Sequence, residues 1–236
     1  MLHNNGSPGD ISERLLRYID VMAISIHTIV SEPFAENSYI VWREGSREAI
    51  VVDPGFEPEP ILDFLSREEL ACAAIVNTHG HVDHMAGNAA MKRAFPESPL
   101  IIGARDATML TDAVVNMSAL YGVPVVSPPA DRFVKEGDRL ILAGIDLEVF
   151  DIPGHSPGHV VYLIRESPIT VLAGDVLFRG SIGRTDFPGG SFEALKSGIE
   201  RVLWPLPPDT VVYPGHGPVT TIGHEKQTNP YVGEGR

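Results

Sequence analysis

The chain has 236 residues, 43% of them hydrophobic, and no apolar run near the roughly 18 residues of a membrane span, so one large α/β domain is expected. Eighteen Lys and Arg against 31 Asp and Glu leave a formal charge of −13, which repels phosphate backbones and anionic bilayers and argues against nucleic-acid and membrane partners. A single cysteine excludes an internal disulfide, and the polar opening Met1-Leu2-His3-Asn4-Asn5-Gly6 lacks the pattern of a signal peptide, so a cytoplasmic protein is expected.

Residues 1–22 read as an amino-terminal arm and 23–236 as a single domain. In the arm, Ile11, Leu15, Leu16 and Ile19 follow helical spacing after Asp10. A short amphipathic helix is expected there, packed on its own domain or serving as a homodimer arm. Strands follow over 23–30, 37–42 and 49–52, an antiparallel opening that ends at Asp53-Pro54-Gly55. Asp53 is either a plain turn residue or an acceptor for a ligand imidazole. A helix over 61–70, with Ile61, Leu62, Leu65 and Leu70 on one side, leads to the apolar strand 73–76. Cys72, just before that strand, has no His or Lys beside it and reads as packed rather than reactive.

The strand delivers Thr78-His79-Gly80-His81-Val82-Asp83-His84 onto a loop at its carboxyl end, where open α/β sheets place their chemistry. Imidazole and carboxylate ligate zinc and other first-row metals, and alternate residues can turn two side chains to one ion. Asp83 and His84 then lie within reach of a second. One loop rarely completes such a site, so further ligands are required beyond later strands. His155 stands in Asp151-Ile152-Pro153-Gly154-His155-Ser156-Pro157-Gly158-His159, Asp175 in Leu172-Ala173-Gly174-Asp175, and His216 in Tyr213-Pro214-Gly215-His216-Gly217. Each follows an apolar run and sits in a glycine-containing turn.

Between these motifs, Gly87-Asn88 opens a helix running to Phe95, followed by a strand over 100–103 and a short helix over 107–113. The Pro-interrupted stretch 114–134 holds Met117, Leu120, Tyr121 and Val123, either as core or as a flap over the metals. Strands over 139–142, 146–152, 160–164 and 169–173, a helix over 192–203 and a strand over 210–213 complete the pattern. Strands followed by strand-helix alternation occur twice, which suggests two halves with their sheets face to face.

The ordered His-x-His-x-Asp-His loop with a distant His, an Asp and a final His resembles the metallo-β-lactamase fold superfamily. The run 174–190, Gly-Asp-Val-Leu-Phe-Arg-Gly-Ser-Ile-Gly-Arg-Thr-Asp-Phe-Pro-Gly-Gly, is similar to the glyoxalase II branch and its relatives the persulfide dioxygenases. The ending Gly215-His216-Gly217-Pro218, with Thr220-Thr221-Ile222-Gly223 and Asn229-Pro230, is similar to short bacterial type II glyoxalases. The resemblance spans about 24–231. It implies an αββα sandwich of two mixed β-sheets with helices on the outer faces.

It also implies two divalent ions, zinc foremost with iron or manganese as alternatives. His79, His81 and His155 would hold one, Asp83, His84 and His216 the other, with Asp175 bridging. Asp83 and Asp175 are the implied catalytic carboxylates, Asp83 with a further role in passing a proton. A hydroxide held by the metals would attack a small thioester like S-D-lactoylglutathione, as in hydroxyacylglutathione hydrolases, without a Ser or Cys nucleophile. Arg184 either contacts the glutathione moiety or makes a surface salt bridge. The sequence departs from glyoxalase II in ending twenty residues after His216, short of a glutathione-gripping helical domain, and in having Gly217-Pro218 where the family has an aromatic. Two other functions remain open: an iron persulfide dioxygenase using His79, His155 and Asp175 as its triad, and a metal-binding module without turnover. His159 reads as a supporting residue, and His3, His27 and His224 as ordinary histidines.

Overall fold

The computed structural model describes residues 22–235. The arm and its expected amphipathic helix lie almost wholly outside this range. Among the described residues there are fourteen strands. The first sheet has the order β1-β2-β3-β4-β5-β6, formed by Ile24–Ser31, Glu36–Arg43, Glu48–Val52, Ala71–Val76, Leu100–Gly103 and Arg132–Val134. Strands β1 to β3 pair antiparallel and β3 to β6 parallel.

The second sheet has the order β14-β13-β10-β9-β8-β7, where β7 is Arg139–Leu142, β8 Ile145–Asp151, β9 Val160–Ile164, β10 Thr170–Gly174, β13 Val211–Pro214 and β14 Thr220–Thr221. Only β10 and β13 pair parallel in it. A two-stranded ribbon, β11 (Leu177–Phe178) and β12 (Ser181–Ile182), leaves the end of β10.

Strands buried on both faces carry apolar side chains at every position, and the period of two then decides which layer each fills. Tyr39, Val41, Ile50, Val52, Val76 and Ile101 of the first sheet meet Leu147, Val149, Val160, Tyr162, Ile164 and Leu172 of the second. The alternate residues point outward. Ile40, Val51, Ile75 and Ile102 receive Ile61, Phe64 and Leu65 of α1 (Glu59–Arg67) and Met91 of α3 (Asn88–Ala94). On the other side Val161, Leu163, Val171 and Val212 receive Leu195 of α4 (Phe192–Gly198), then Ile199 and Leu203, and Ile222 of α5 (Ile222–Thr228). The expected αββα sandwich of two mixed sheets is therefore the observed one.

At the end of the sandwich remote from the metal-type motifs, buried Arg43 joins the sheets. Its Nη1 and Nη2 donate to Glu166 Oε2 and Oε1 at 2.9 and 2.6 Å, and Nη2 also donates to the Gly144 carbonyl at 2.9 Å. Among the described residues no helix is long and apolar enough to cross a membrane.

Local differences from expectation have local causes. The helix over 107–113 is a 3-10 turn over Ala104–Leu110. The helix over 192–203 changes at Gly198 into a wider π turn, Ile199–Leu203, and Gly198 packs so close to Ile152 that a Cβ there would press into its side chain. Strand β6, short and at the sheet edge, emerges from a stretch read as irregular. Cys72 is packed as expected: its thiol donates to the Ala74 carbonyl at 3.3 Å, and burial pushes its pKa up to about 11.

Candidate metal centre

The carboxyl ends of β3, β4 and β5 in one sheet, and of β10 and β13 in the other, open at the same edge of the sandwich. β4 runs into the loop carrying His79 and His81, and the single helical turn α2 (Val82–Met85) presents Asp83 and His84. The β8–β9 loop supplies His155, the end of β10 supplies Asp175, and the end of β13 supplies His216. All seven side chains singled out in the sequence meet there.

Their ligand atoms form overlapping triads within 4.8 Å: His79, His81 and His155; Asp83, His84 and His216; and His79, His84 and Asp175. His155 Nε2 lies 2.8 Å from His81 Nδ1 and 3.2 Å from His79 Nε2. Asp175 stands between the groups, Oδ1 3.3 Å from His84 Nε2 and Oδ2 3.4 Å from His155 Nε2 and 3.7 Å from His216 Nε2. Asp83 Oδ2 is 3.3 Å from His216 Nε2. Buried His84 Nε2 and Asp175 Oδ1 have no hydrogen-bond partner among the described residues. Lone pairs converging at these distances in a buried site are the donor set of a cation, so the residues fit divalent metal.

The opposite ring nitrogens fix the tautomers. His155 Nδ1 donates to the Arg184 carbonyl at 2.8 Å and His216 Nδ1 to the Ala35 carbonyl at 3.2 Å, while His84 Nδ1 donates to Asp53 Oδ2 at 3.1 Å. Each leaves Nε2 with a free lone pair toward the centre. Both readings of Asp53 apply. It turns the chain at a φ of +49°, which Asp tolerates, and it accepts from Thr78 N, Thr78 Oγ1 and His84. Gly215 must lack a side chain, since a Cβ there would collide with Asp175 Oδ1 and the His84 ring.

Burial lowers the imidazoles and the neighbouring charges redistribute that effect. Burial with His155 alongside pushes His81 down to about 3, and burial holds His79 well below its ordinary value. Burial also pulls on His84, but Asp175 and Asp83 outweigh it and hold the pKa well above normal. The same pairing keeps both carboxylates below theirs, against the upward pull of their own burial. A cation entering this set displaces protons from imidazole and meets carboxylates already ionised.

Three buried groups support the centre without any motif to announce them. Asp106 accepts from Gly80 N at 3.3 Å, Ser156 Oγ at 2.5 Å and Gly158 N at 2.6 Å, so one carboxylate clamps the loop of His79 and His81 to the loop of His155. Asn37 donates through Nδ2 to the carbonyls of Pro214 and Gly217 at 3.0 and 2.8 Å, which sets the turn carrying His216. Glu36 Oε1 lies 3.8 Å behind His84 Nδ1, and burial drives its pKa well above normal.

Asp106→Asn is expected to lower metal affinity or turnover by about 10- to 100-fold with an unchanged circular dichroism spectrum. An amide presents two N–H donors toward groups that also donate, so the clamp loosens. Competitive metal titration measures it, and wild-type affinity would show that the loops hold without Asp106.

Two tyrosines tie these loops across the sandwich. Tyr39 of the first sheet donates to the Pro214 carbonyl at the end of β13 at 2.5 Å, and Tyr162 of the second donates to the Asn77 carbonyl at the end of β4 at 2.9 Å. His159 is buried, and its Nε2 accepts from Asp175 N–H at 3.0 Å, which agrees with a supporting role. His27 stacks on Phe64 with centroids 4.0 Å apart, and exposed His224 accepts from the Thr228 hydroxyl at its carbonyl. His3 lies outside the described residues.

A cavity of about 260 Å³ opens over the cluster, walled by Phe34, Asn116, Met117, Phe178, Arg184 and Phe187. In the stretch 114–134, Val125 and Ala130 pack on the core, as one reading expected, and Asn116 and Met117 line this cavity. Of the two readings of Arg184, the structure shows the salt bridge. Its guanidinium pairs with both oxygens of Asp186 at 2.7 Å, rests over the Phe187 ring at 3.9 Å and faces the cavity.

The model of the metallo-beta-lactamase superfamily matches residues 31–216. Hydroxyacylglutathione hydrolase GloC of Haemophilus influenzae is 34% identical over 211 residues, covering 89% of this chain and 98% of its own length. The crystal structure of BLEG-1 B3 metallo-beta-lactamase aligns with a TM-score of 0.84 at 36% identity, over 88% of this chain and 99% of that one. TTHA1623, solved in a di-iron-bound form, aligns at 0.77 and 37% identity, over 87% and 99%. With the αββα sandwich and the convergent His and Asp cluster, these matches make the chain a member of the metallo-beta-lactamase superfamily.

Proposed function

We propose that the protein is a binuclear metal-dependent hydrolase of a small thioester of the S-D-lactoylglutathione kind. One observation carries the reading: two ligand triads meet at Asp175 on the floor of a cavity large enough for a small substrate. His79, His81 and His155 would hold one ion, Asp83, His84 and His216 the other, and Asp175 would touch both. When bound, a pair of divalent ions supplies water of lowered pKa, about 7 in place of 15.7, and polarises the acyl carbonyl.

The chain's own groups do the rest. Asp106, Asp53 and Asn37 hold the ligand loops in register, which is the positioning that hydrolysis needs. Asp83, half-buried at the cavity wall and ionised, is placed to accept a proton from the attacking water and pass it to the leaving thiolate. Phe34, Phe178 and Phe187 exclude water around the acyl group, and Arg184 offers a guanidinium to a carboxylate of the thiol carrier in exchange for Asp186. The name of the Haemophilus influenzae relative supports a glutathione thioester, and the di-iron relative supports iron beside zinc and manganese.

A second reading rests on His79, His155 and Asp175, two imidazoles and one carboxylate whose ligand atoms lie close together and which would hold a single iron. The test loads purified protein with zinc, iron or manganese in turn and follows S-D-lactoylglutathione cleavage. Oxygen uptake with glutathione persulfide and β-lactam opening are followed in parallel. Thioester loss that tracks two ions per chain is the expected result, with Arg184→Ala raising KM several-fold and leaving kcat nearly unchanged. Oxygen uptake without thioester cleavage, or β-lactam opening alone, would overturn it.

A further inference from the structure

Beside Met117 lies a second cavity, of about 270 Å³, lined by Arg105, Thr108, Met109, Val114, Val115, Met117, Pro157 and Pro188. Met117 is a wall of both this chamber and the cavity over the metal cluster. The chamber's polar backbone is turned inward on its own loop. Val114 N and Val115 N donate to Asp112 Oδ1 at 2.9 and 3.2 Å, and Met117 N donates to the Val114 carbonyl at 3.2 Å. What faces the chamber is therefore mostly hydrocarbon and thioether, with Arg105 and Thr108 as its polar side chains. Val114 and Val115 stay 70% and 45% exposed, an arrangement that water penalises and an apolar ligand relieves.

The dividing residue is also strained. Met117 sits at a φ of +73°, a region that non-glycine residues rarely adopt and that persists where the surroundings enforce it. Here the enforcement comes from Asn116. Its buried side chain donates to the Val125 carbonyl and accepts from Ser118 N, both at 2.9 Å, and its own carbonyl accepts from Val82 N at 3.2 Å. The partition is thus fastened to the helical turn that carries Asp83 and His84.

We propose that this chamber is a substrate subsite that takes the apolar acyl chain of the thioester, the chain running past Met117 from a carbonyl held in the metal cavity. The proposal rests on the thioester reading above and adds an acyl class that the site takes besides lactoyl: unbranched aliphatic groups longer than acetyl. Arg184 and Asp186 mark the side of the metal cavity suited to a charged thiol carrier. The largely apolar chamber suits a hydrocarbon chain better than a charged carrier. Each methylene moved from water into it should strengthen binding about fourfold until the volume is filled.

The test uses metal-loaded protein and two thioethers that cannot be hydrolysed, S-methylglutathione and S-hexylglutathione, with binding measured by calorimetry. The wild type is expected to bind the hexyl compound at least about tenfold more tightly. Val115→Trp should erase that ratio by filling the chamber. Val114→Trp, on the same wall and more exposed, provides a second variant should the first fail to fold. In parallel, kcat/KM for acetyl- through octanoylglutathione, each variant normalised to its own acetyl rate, should rise with chain length in the wild type and flatten in both variants. Equal affinities for the two thioethers in the wild type, or a ratio that both substitutions leave intact, would overturn the subsite. Hexyl preference without cleavage of any thioester would keep the subsite and overturn the hydrolase reading instead.

Discussion

Asp175→Asn is expected to leave the circular dichroism spectrum unchanged while lowering thioester turnover by about a thousandfold. The substitution is nearly isosteric, and the backbone N–H of residue 175 keeps its bond to His159. What changes is charge and hydrogen-bonding sense. The carboxylate places Oδ1 toward His84 Nε2 and Oδ2 toward His155 and His216, so it can accept from, or share a cation with, either group. An amide can do so on one side only. Its NH₂ points two hydrogens at nitrogens whose lone pairs are needed for metal, and its neutral charge leaves two cations unshielded. Metal analysis beside steady-state kinetics decides the matter, and full turnover with two ions retained would place the bridging role elsewhere.

A second large effect is expected at His84, and it should differ in kind from the effect at His81. Both alanine variants should lose metal and fall below detectable activity. His84→Ala should in addition lower stability by about 3 kcal/mol, near 10 °C in melting temperature, because it removes the partner of buried carboxylates. Asp53, Asp83 and Asp175 all face that ring within 3.7 Å. The ring of His81 faces His155 and the cavity instead, so its loss should leave the melting temperature of the metal-free protein almost unaltered. Differential scanning calorimetry on metal-free samples separates the two. Equal melting temperatures for both variants would show that the carboxylates around residue 84 find other partners.

The layers of the fold were legible because strands buried on two faces leave continuous apolar runs. Val160–Ile164 is the plain case: five aliphatic or aromatic residues between polar turns, assigned to the bounds that the structure shows. Residues 132–134 carry no such signal, since a three-residue edge strand with exposed Phe133 is defined by its pairing with β5 and not by its own pattern. The metal-type cluster was legible for a related reason. Its residues are polar punctuation after apolar strands, and chemistry requires their types at those places.

Asp106 escaped that logic. It meets Gly80, Ser156 and Gly158 at separations of 26, 50 and 52 residues, so its partners exist only once three loops have been brought together. The same holds for Asn37, whose partners lie 177 and 180 residues away. Met117 sits between the cases. Proline-interrupted hydrophobicity around it fits core, flap and subsite wall alike, and only the placement of the loop distinguishes them.

The crossed tyrosine bonds bear on how this chemistry tolerates change elsewhere. Tyr39 and Tyr162 each hang a carbonyl of one sheet's ligand-bearing strand from the opposite sheet, and Arg43 with Glu166 pins the far end. The offset between the sheets and the spacing of the histidines are then one mechanical variable. A core substitution that lets the layers slip by about 1 Å, at a modest cost in stability, moves the ligand groups by a similar amount, a displacement worth roughly a hundredfold in rate. Catalysis is therefore the finer gauge of how the interior is packed. Residues such as Val149 or Ile50, far from any substrate, lie under the tolerances of the reaction as much as under those of folding.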